Sequence, residues 1–258
     1  MSLLLSSSLF LIPLLAADDT ETKFFESITR DDLPAVRAFL KKNPGLARAK
    51  NVRGNSAVLV AANNMNSEEY FYPPKKNAVL QEILRLAPAQ NAYEACIVGD
   101  LERARAFIDQ EPGAVRSTER PWTLLHAAAY SGNVELVKLL LSRGAAVDAV
   151  ATTKYRNTPL QTAMLTRQAA VARVLVEAGA DANHPQWEGF TVLHDAARQG
   201  DVELARFFLE HGAKADVKTI RGETPSAAAK THGHPKLAAM LEQAAARQPK
   251  TAGRSSAQ

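Results

Sequence analysis

Thr123-Leu-Leu-His126-Ala-Ala-Ala-Tyr-Ser-Gly132 is the stretch on which the reading turns, because three further segments echo it. They are Thr158-Pro-Leu-Gln161-Thr-Ala-Met-Leu-Thr-Arg167, Thr191-Val-Leu-His194-Asp-Ala-Ala-Arg-Gln-Gly200 and Thr224-Pro-Ser-Ala-Ala-Ala-Lys-Thr-His-Gly233. The leading threonines stand 35, 33 and 33 residues apart, and a fixed period of that length marks stacked structural units. Behind each segment comes a second apolar run, Val134, Leu136, Val137, Leu139, Leu140 and Leu141 in one case and Val202, Leu204, Phe207, Phe208 and Leu209 in another. Such spacing covers one broad face of a helix. Each period therefore reads as a short helix, a turn and a second helix.

The ends of these units are punctuated as regularly as their beginnings. Gly144-Ala-Ala-Val-Asp148, Gly179-Ala-Asp-Ala-Asn183 and Gly212-Ala-Lys-Ala-Asp216 stop the second helix at a position that favours glycine. A polar loop with a tight turn at Gly189 or Gly222 then leads to the next threonine. That threonine is a candidate cap for the open amides of the next helix. In two units proline follows it, where its missing N–H removes nothing.

These lines resemble the ankyrin-repeat family, in the pattern T-P-L-H-x-A-A-x-x-G and in the G-A-D-x-N endings. The resemblance implies an all-α solenoid of stacked helix-turn-helix units joined by β-turn loops. Thr123, Thr158, Thr191 and Thr224 are then structural motif positions. The resemblance gives the motif histidines His126 and His194 the task of supporting neighbouring loops by hydrogen bonds. Gln161 and Arg167 depart from the pattern, which expects His and Gly there, as does Lys214 in place of an acid.

More divergent units extend upstream. Gly54-Asn-Ser56-Ala-Val-Leu-Val-Ala-Ala62 opens one, Asn91-Ala-Tyr-Glu-Ala-Cys-Ile-Val-Gly99-Asp100 opens another, and Phe24 to Asp32 reads as a first helix. The repeat domain is thus expected over residues 20–243 as about seven units, irregular around 63–90, with a flexible tail over 244–258. Within the irregular part, Asn63 to Asn77 is inserted ahead of a helix over Val79–Leu86, and the loop after that helix shrinks to Ala87-Pro-Ala-Gln90. An exposed excursion carrying Tyr70, Phe71 and Tyr72 is expected there, as a further contact for a partner.

Residues 1–17 hold no charged side chain and are too short for an ordinary spanning helix. Their length and their Ala16-Ala17 ending fit a secretory signal peptide cut after Ala17. Against this stand the absence of Lys or Arg from the leader and the large Leu15 three residues before the cut. Export makes the protein a periplasmic or secreted, bacterial-type member of the family. The alternatives are a short membrane anchor or an extra segment lying on the first helices of a cytoplasmic protein.

Composition narrows the functional classes. With 46% hydrophobic and 22% charged residues the chain is neither disordered nor a polytopic membrane protein. Its single cysteine, Cys96, excludes an intramolecular disulfide and every multi-cysteine metal site. A net charge of +4 without a basic run gives no footprint for nucleic acid. No phosphate-binding, dinucleotide-binding or zinc-protease motif occurs. His194 and Asp195 are neighbours on one helix, so their side chains diverge by ~100° and do not form a base and its orienter. His232 and His234 lack the further donors a metal site needs, and His184 and His211 read as solvated or dipole-facing. No catalytic residue, cofactor or metal is expected.

Recognition remains. A repeat array offers a concave surface built from one loop and one inner helix per unit, and ankyrin-like geometry puts the contacting positions just before each threonine and just before the helix-ending glycine. On this chain they are Trp122, Tyr130, Tyr155, Leu165, Thr166, Trp187, Phe190, Arg198, Gln199, Ile220 and Arg221. Both tryptophans fall in that set; packing of Trp122 and Phe190 against neighbouring loops is the alternative. The expectation is a monomeric, non-enzymatic module that binds a protein or peptide. Three other readings stay open: an inhibitor or immunity-type factor masking another protein, a structural assembly subunit, and a hydrolase or metal-dependent enzyme.

Overall fold

In the computed structural model, which describes residues 19–63 and 78–248, fourteen α-helices and no strand form among the described residues. The leader 1–17, the excursion with Tyr70, Phe71 and Tyr72, and the last ten residues lie outside the described residues. The chain divides into two compact units, one of residues 19–63 with 78–88 and one of residues 89–248.

The first unit holds α1 (Asp19–Thr29), α2 (Leu33–Lys42), α3 (Ala57–Asn63) and α4 (Ala78–Leu86). Helix α1 forms because Phe24, Phe25 and Ile28 share a face that is buried. The Phe24 ring meets Phe39 of α2 edge-on at 6.0 Å. Asp32 starts α2 by accepting the Ala35 amide at 3.0 Å, with Pro34 in the first turn. Across the pair, Glu82 of α4 receives Arg37 of α2 at 3.1 Å and its own helix neighbour Arg85 at 2.8 Å, and these two guanidinium groups hold the Glu82 carboxyl below its ordinary range.

The second unit holds five helix pairs: α5 (Ala92–Val98) with α6 (Leu101–Gln110), α7 (Leu124–Ser131) with α8 (Val134–Ser142), α9 (Pro159–Leu165) with α10 (Ala169–Glu177), α11 (Val192–Gln199) with α12 (Val202–Glu210), and α13 (Pro225–Thr231) with α14 (Pro235–Arg247). The short first helices stack in one row, α5 on α7 on α9 on α11 on α13, and the longer second helices α6, α8, α10 and α12 in another. Their small residues make this stacking close: Ala95, Ala127, Ala128, Ala163, Ala196 and Ala228 are fully buried between helices. Larger side chains such as Leu125, Leu160, Leu193 and Phe208 fill the space between the rows, each worth ~1.5–3 kcal/mol of buried apolar surface.

The loops leaving the second helices are tied to one another by polar side chains. Asp148 accepts the Asp181 amide at 3.0 Å. Asn183 donates to the Gly212 carbonyl at 3.0 Å and accepts the Lys214 amide at 2.8 Å. Only the backbone of Lys214 takes part in this bond, so its basic side chain changes nothing in the ladder. Gln248 repeats the bidentate bond on Ala213 and Ala215, both at 2.8 Å. Helix α14 accordingly runs to Arg247, four residues past the boundary expected at 243. The alanines Ala244 to Ala246 favour the helix, and Gln248 anchors its end.

Candidate protein-interaction face

A finger-like turn precedes several of the first helices, and its construction is local. Asn51, Gln186 and Thr219 each donate their amide to the carbonyl four residues on, Asn55, Phe190 and Glu223, at 2.8–2.9 Å. Gly54, Gly189 and Gly222 occupy the same place in these three fingers and all have positive φ. A fourth finger, Ala151 to Asn157, closes over six residues by the bond from Ala151 N to Asn157 O at 2.8 Å. Those two extra residues account for the 35-residue spacing between Thr123 and Thr158, where the other units have 33.

In the second unit the fingers are joined side by side. The amide of Thr152 donates to Pro121 O at 3.1 Å, that of Trp187 to Tyr155 O at 3.3 Å, and that of Ile220 to Glu188 O at 2.8 Å. Arg221 reinforces the last step by an ion pair with Glu188 at 3.1 Å.

In the second unit each of the three fingers is clasped from below by the preceding helix pair. The Thr123 amide and hydroxyl donate to His126 Nδ1, at 3.3 and 2.8 Å, leaving Nε2–H to donate to the Asn157 carbonyl at 2.9 Å. His194 does the same between Thr191 and the Glu223 carbonyl, at 3.1 and 3.2 Å. With Nδ1 accepting, both rings are neutral Nε2–H tautomers. Burial lowers their pKa, to about 4 at His126, although the bond to Asn157 opposes the shift. Each of the two rings thus links the start of its own helix to the loop of the next unit. Gln161 was not given this task, yet its Oε1 accepts the Thr158 amide at 2.9 Å and its Nε2 donates to His184 O at 2.6 Å. The pattern Thr-x-x-Gln, a capping box, was legible as such. Asp195 is buried beside this clasp and receives Gln186 Nε2 at 2.8 Å; burial raises its pKa to about 7, against the lowering effects of Arg198 and of the Gln186 bond.

The residues expected to contact a partner separate into two groups. Tyr130 is only 3% exposed, and the half-buried Trp122 stacks on His126 at 6.2 Å and packs on Tyr130 at 5.7 Å. Thr166 is buried, with its hydroxyl on the Thr162 carbonyl at 2.9 Å. Gln199 donates to the Met164 carbonyl at 2.8 Å, and Leu165 is half-buried beside it. Phe190 is half-buried between His194, met edge-on at 5.6 Å, and the Arg198 guanidinium, also at 5.6 Å. These side chains serve the array. By contrast Trp187 is 58% and Ile220 75% exposed, Arg198 and Arg221 are exposed, and Tyr155 is half-buried under Lys154 at 5.0 Å.

Val52, 87% exposed, escaped the sequence reading. It stands one residue into its finger, as Trp187 and Ile220 stand in theirs. The signal was present in Val52-Arg-Gly-Asn55 beside Ile220-Arg-Gly-Glu223.

Two further histidines are bound to backbone, Nδ1 of His211 to Phe207 O at 2.8 Å and Nδ1 of His232 to Ala228 O at 2.9 Å. Among the described residues no three His, Cys, Asp or Glu side chains converge as metal ligands, and no helix is long and apolar enough to cross a membrane.

The geometry defines a stack of ankyrin-type units, and comparison with known proteins agrees. The family model described as ankyrin repeats (3 copies) matches residues 92–186, and the one described as ankyrin repeats (many copies) matches residues 175–226. Cyclin-dependent kinase inhibitor 2A of Homo sapiens is 35% identical over 136 residues, covering 52% of this chain and 85% of that protein. An ankyrin repeat-containing protein of Treponema pallidum (strain Nichols) is 28% identical over 177 residues, 67% of this chain and 59% of the relative. The B-cell lymphoma 3 protein homolog of Mus musculus is 35% identical over 103 residues, 40% of this chain and 23% of its own length. Several curated relatives are far longer, and the chain spans 20% to 35% of their length. The chain belongs to the ankyrin-repeat family, whose repeats generally mediate protein–protein interaction.

Proposed function

We propose that this chain is a non-enzymatic protein-binding module whose second unit holds a protein or peptide on the finger tips Tyr155, Trp187 and Ile220 and on the exposed Arg198 and Arg221. One observation carries the reading. The exposed large apolar side chains among the described residues are Val52, Trp187 and Ile220, and all three occupy the same position in a finger. Random surface exposure would scatter such residues, whereas binding energy concentrates in a few large side chains at repeated positions. The occupant masked in this way is the surface of another protein, a role favoured by the similarity to a relative named an inhibitor.

The test is crosslink capture of the full-length protein in its host, read by mass spectrometry, beside the Trp187→Ala/Ile220→Ala variant. Both side chains are exposed, so the variant keeps the helix content of the parent. Enrichment of a protein that vanishes with the variant supports the module. A partner retained by the folded variant moves the binding face away from the fingers.

A further inference from the structure

Resting on the reading of the fingers as a binding face, we infer that the occupant is an extended acidic segment with apolar side chains about three residues apart. The cations of this face carry the inference. Arg120 lies over the Tyr93 ring at 4.8 Å, Lys154 over Tyr155 at 5.0 Å and Arg198 over Phe190 at 5.6 Å. A cation laid on an aromatic face is held in place while its N–H edge stays open to an acceptor. Arg120, Lys154, Arg156 and Lys218 are exposed at or next to the fingers. Among the described residues none of them, nor Arg198, forms an ion pair.

The acids nearby are fewer and partly answered. Glu188 is paired with Arg221, and Glu223 lies at the foot of its finger, where its carbonyl receives His194. Asp195 is buried under Gln186. Glu119 alone stands exposed beside Arg120. A ligand that brings carboxylates meets unpaired cations at the first and last of the three tips; one that brings cations meets repulsion there.

The spacing follows from the stacking. Each finger is two chain segments wide, at ~4.8 Å per segment, and first helices pack at ~8–10 Å, so successive tips stand about 10 Å apart. An extended chain rises ~3.3 Å per residue. Three residues of ligand therefore pass between Trp187 and Ile220, which hold the same place in their fingers, while Tyr155 lies one segment across from Trp187, joined to it by the backbone bond at 3.3 Å.

The experiment pans random dodecapeptides displayed on phage against the full chain. The enriched sequences are synthesised with a fluorophore, and their affinities are read by anisotropy for the parent, for Trp187→Ala/Ile220→Ala and for Lys154→Gln/Arg156→Asn/Lys218→Gln. Asparagine suits position 156, whose φ is +53°, and circular dichroism checks each fold. The expected result is enrichment of Asp and Glu between apolar residues three apart, with a loss of about tenfold in the charge-neutralised variant, as three exposed charge contacts of a few tenths to 1 kcal/mol imply, and weaker binding at high salt. Peptides that need Trp187 and Ile220 but are neutral or basic, or that bind the neutralised variant equally well, overturn the acidic occupant and leave the module standing. If no enriched peptide depends on Trp187 and Ile220, both readings fall.

Discussion

His126 donates its Nε2–H to the carbonyl oxygen of Asn157, 2.9 Å away and 31 residues further along the chain, while its Nδ1 accepts from Thr123. A protonated ring has no lone pair for Thr123, so the clasp requires the neutral form. Burial holds the native pKa at about 4, whereas the unfolded chain titrates near 6.5. Between those values the unfolded state binds the proton and the native state does not, so this histidine's contribution is complete above pH ~6.5 and is lost as the pH falls toward 4. We expect ~2–3 kcal/mol of such loss at this site, measured as a pH-dependent slope in urea denaturation that flattens in His126→Gln.

The glutamine at position 161 supplies the reason for that variant. It makes both bonds of the clasp with an amide that does not titrate. Gln161→Ala leaves the Thr158 amide and the His184 carbonyl without their partner and should cost ~1–3 kcal/mol. Gln161→His should be tolerated within about 1 kcal/mol and should add a third acid-sensitive clasp beside His126 and His194, seen as a steeper slope below pH 6.5.

Asp195 runs the other way. Its native pKa is raised to about 7 by burial and its unfolded value lies near 3.9, so between those limits the native state holds a proton that the unfolded chain releases. Its contribution is present at low pH and is lost as the pH rises through 7. Asp195→Asn keeps an acceptor for Gln186 and removes the buried charge. The variant should gain ~2 kcal/mol at pH 8 and little at pH 4, in paired denaturation curves. The histidine-dependent slope should then stand out, because the opposing slope is gone.

Two glycines of the fingers should respond differently to alanine. Both have positive φ, +80° at Gly189 and +79° at Gly222, but a Cβ at 189 would lie 3.3 Å from the backbone Cα of Thr219, while at 222 it meets nothing within 4 Å. Gly222→Ala should cost ~1 kcal/mol for the left-handed backbone. Gly189→Ala should cost clearly more and should also weaken the union of the fingers at Ile220. Thermal melts rank the two; equal losses would show that the fingers separate freely.

The helices and their stacking were legible because they depend on short-range chemistry repeated in register, the threonine caps, the apolar faces and the terminal glycines. The extra two residues of the finger before Thr158 were visible as a longer period. What escaped was decided by geometry between units. Tyr130 looks like a contact residue by position, but the Trp122 ring covers it. Gln161 looks like a defect until its amide is seen to span the same gap as an imidazole. Val52 lies in a divergent unit whose helical motif is weak, and only its local turn shows the kinship with Ile220. The end of α14 was set by a bond from Gln248 to a loop 33 residues earlier, beyond any local signal.

Because the clasp at Gln161 carries no proton switch while those at His126 and His194 do, acid divides the array unevenly. Protonation at Nδ1 breaks the bonds from Thr123 and Thr191 to the rings of His126 and His194 and loosens the starts of α7 and α11, while each Nε2–H keeps its carbonyl and Gln161 keeps both of its bonds. The cap of α9 then stands as an acid-tolerant joint between two acid-labile ones, at the starts of α7 and α11.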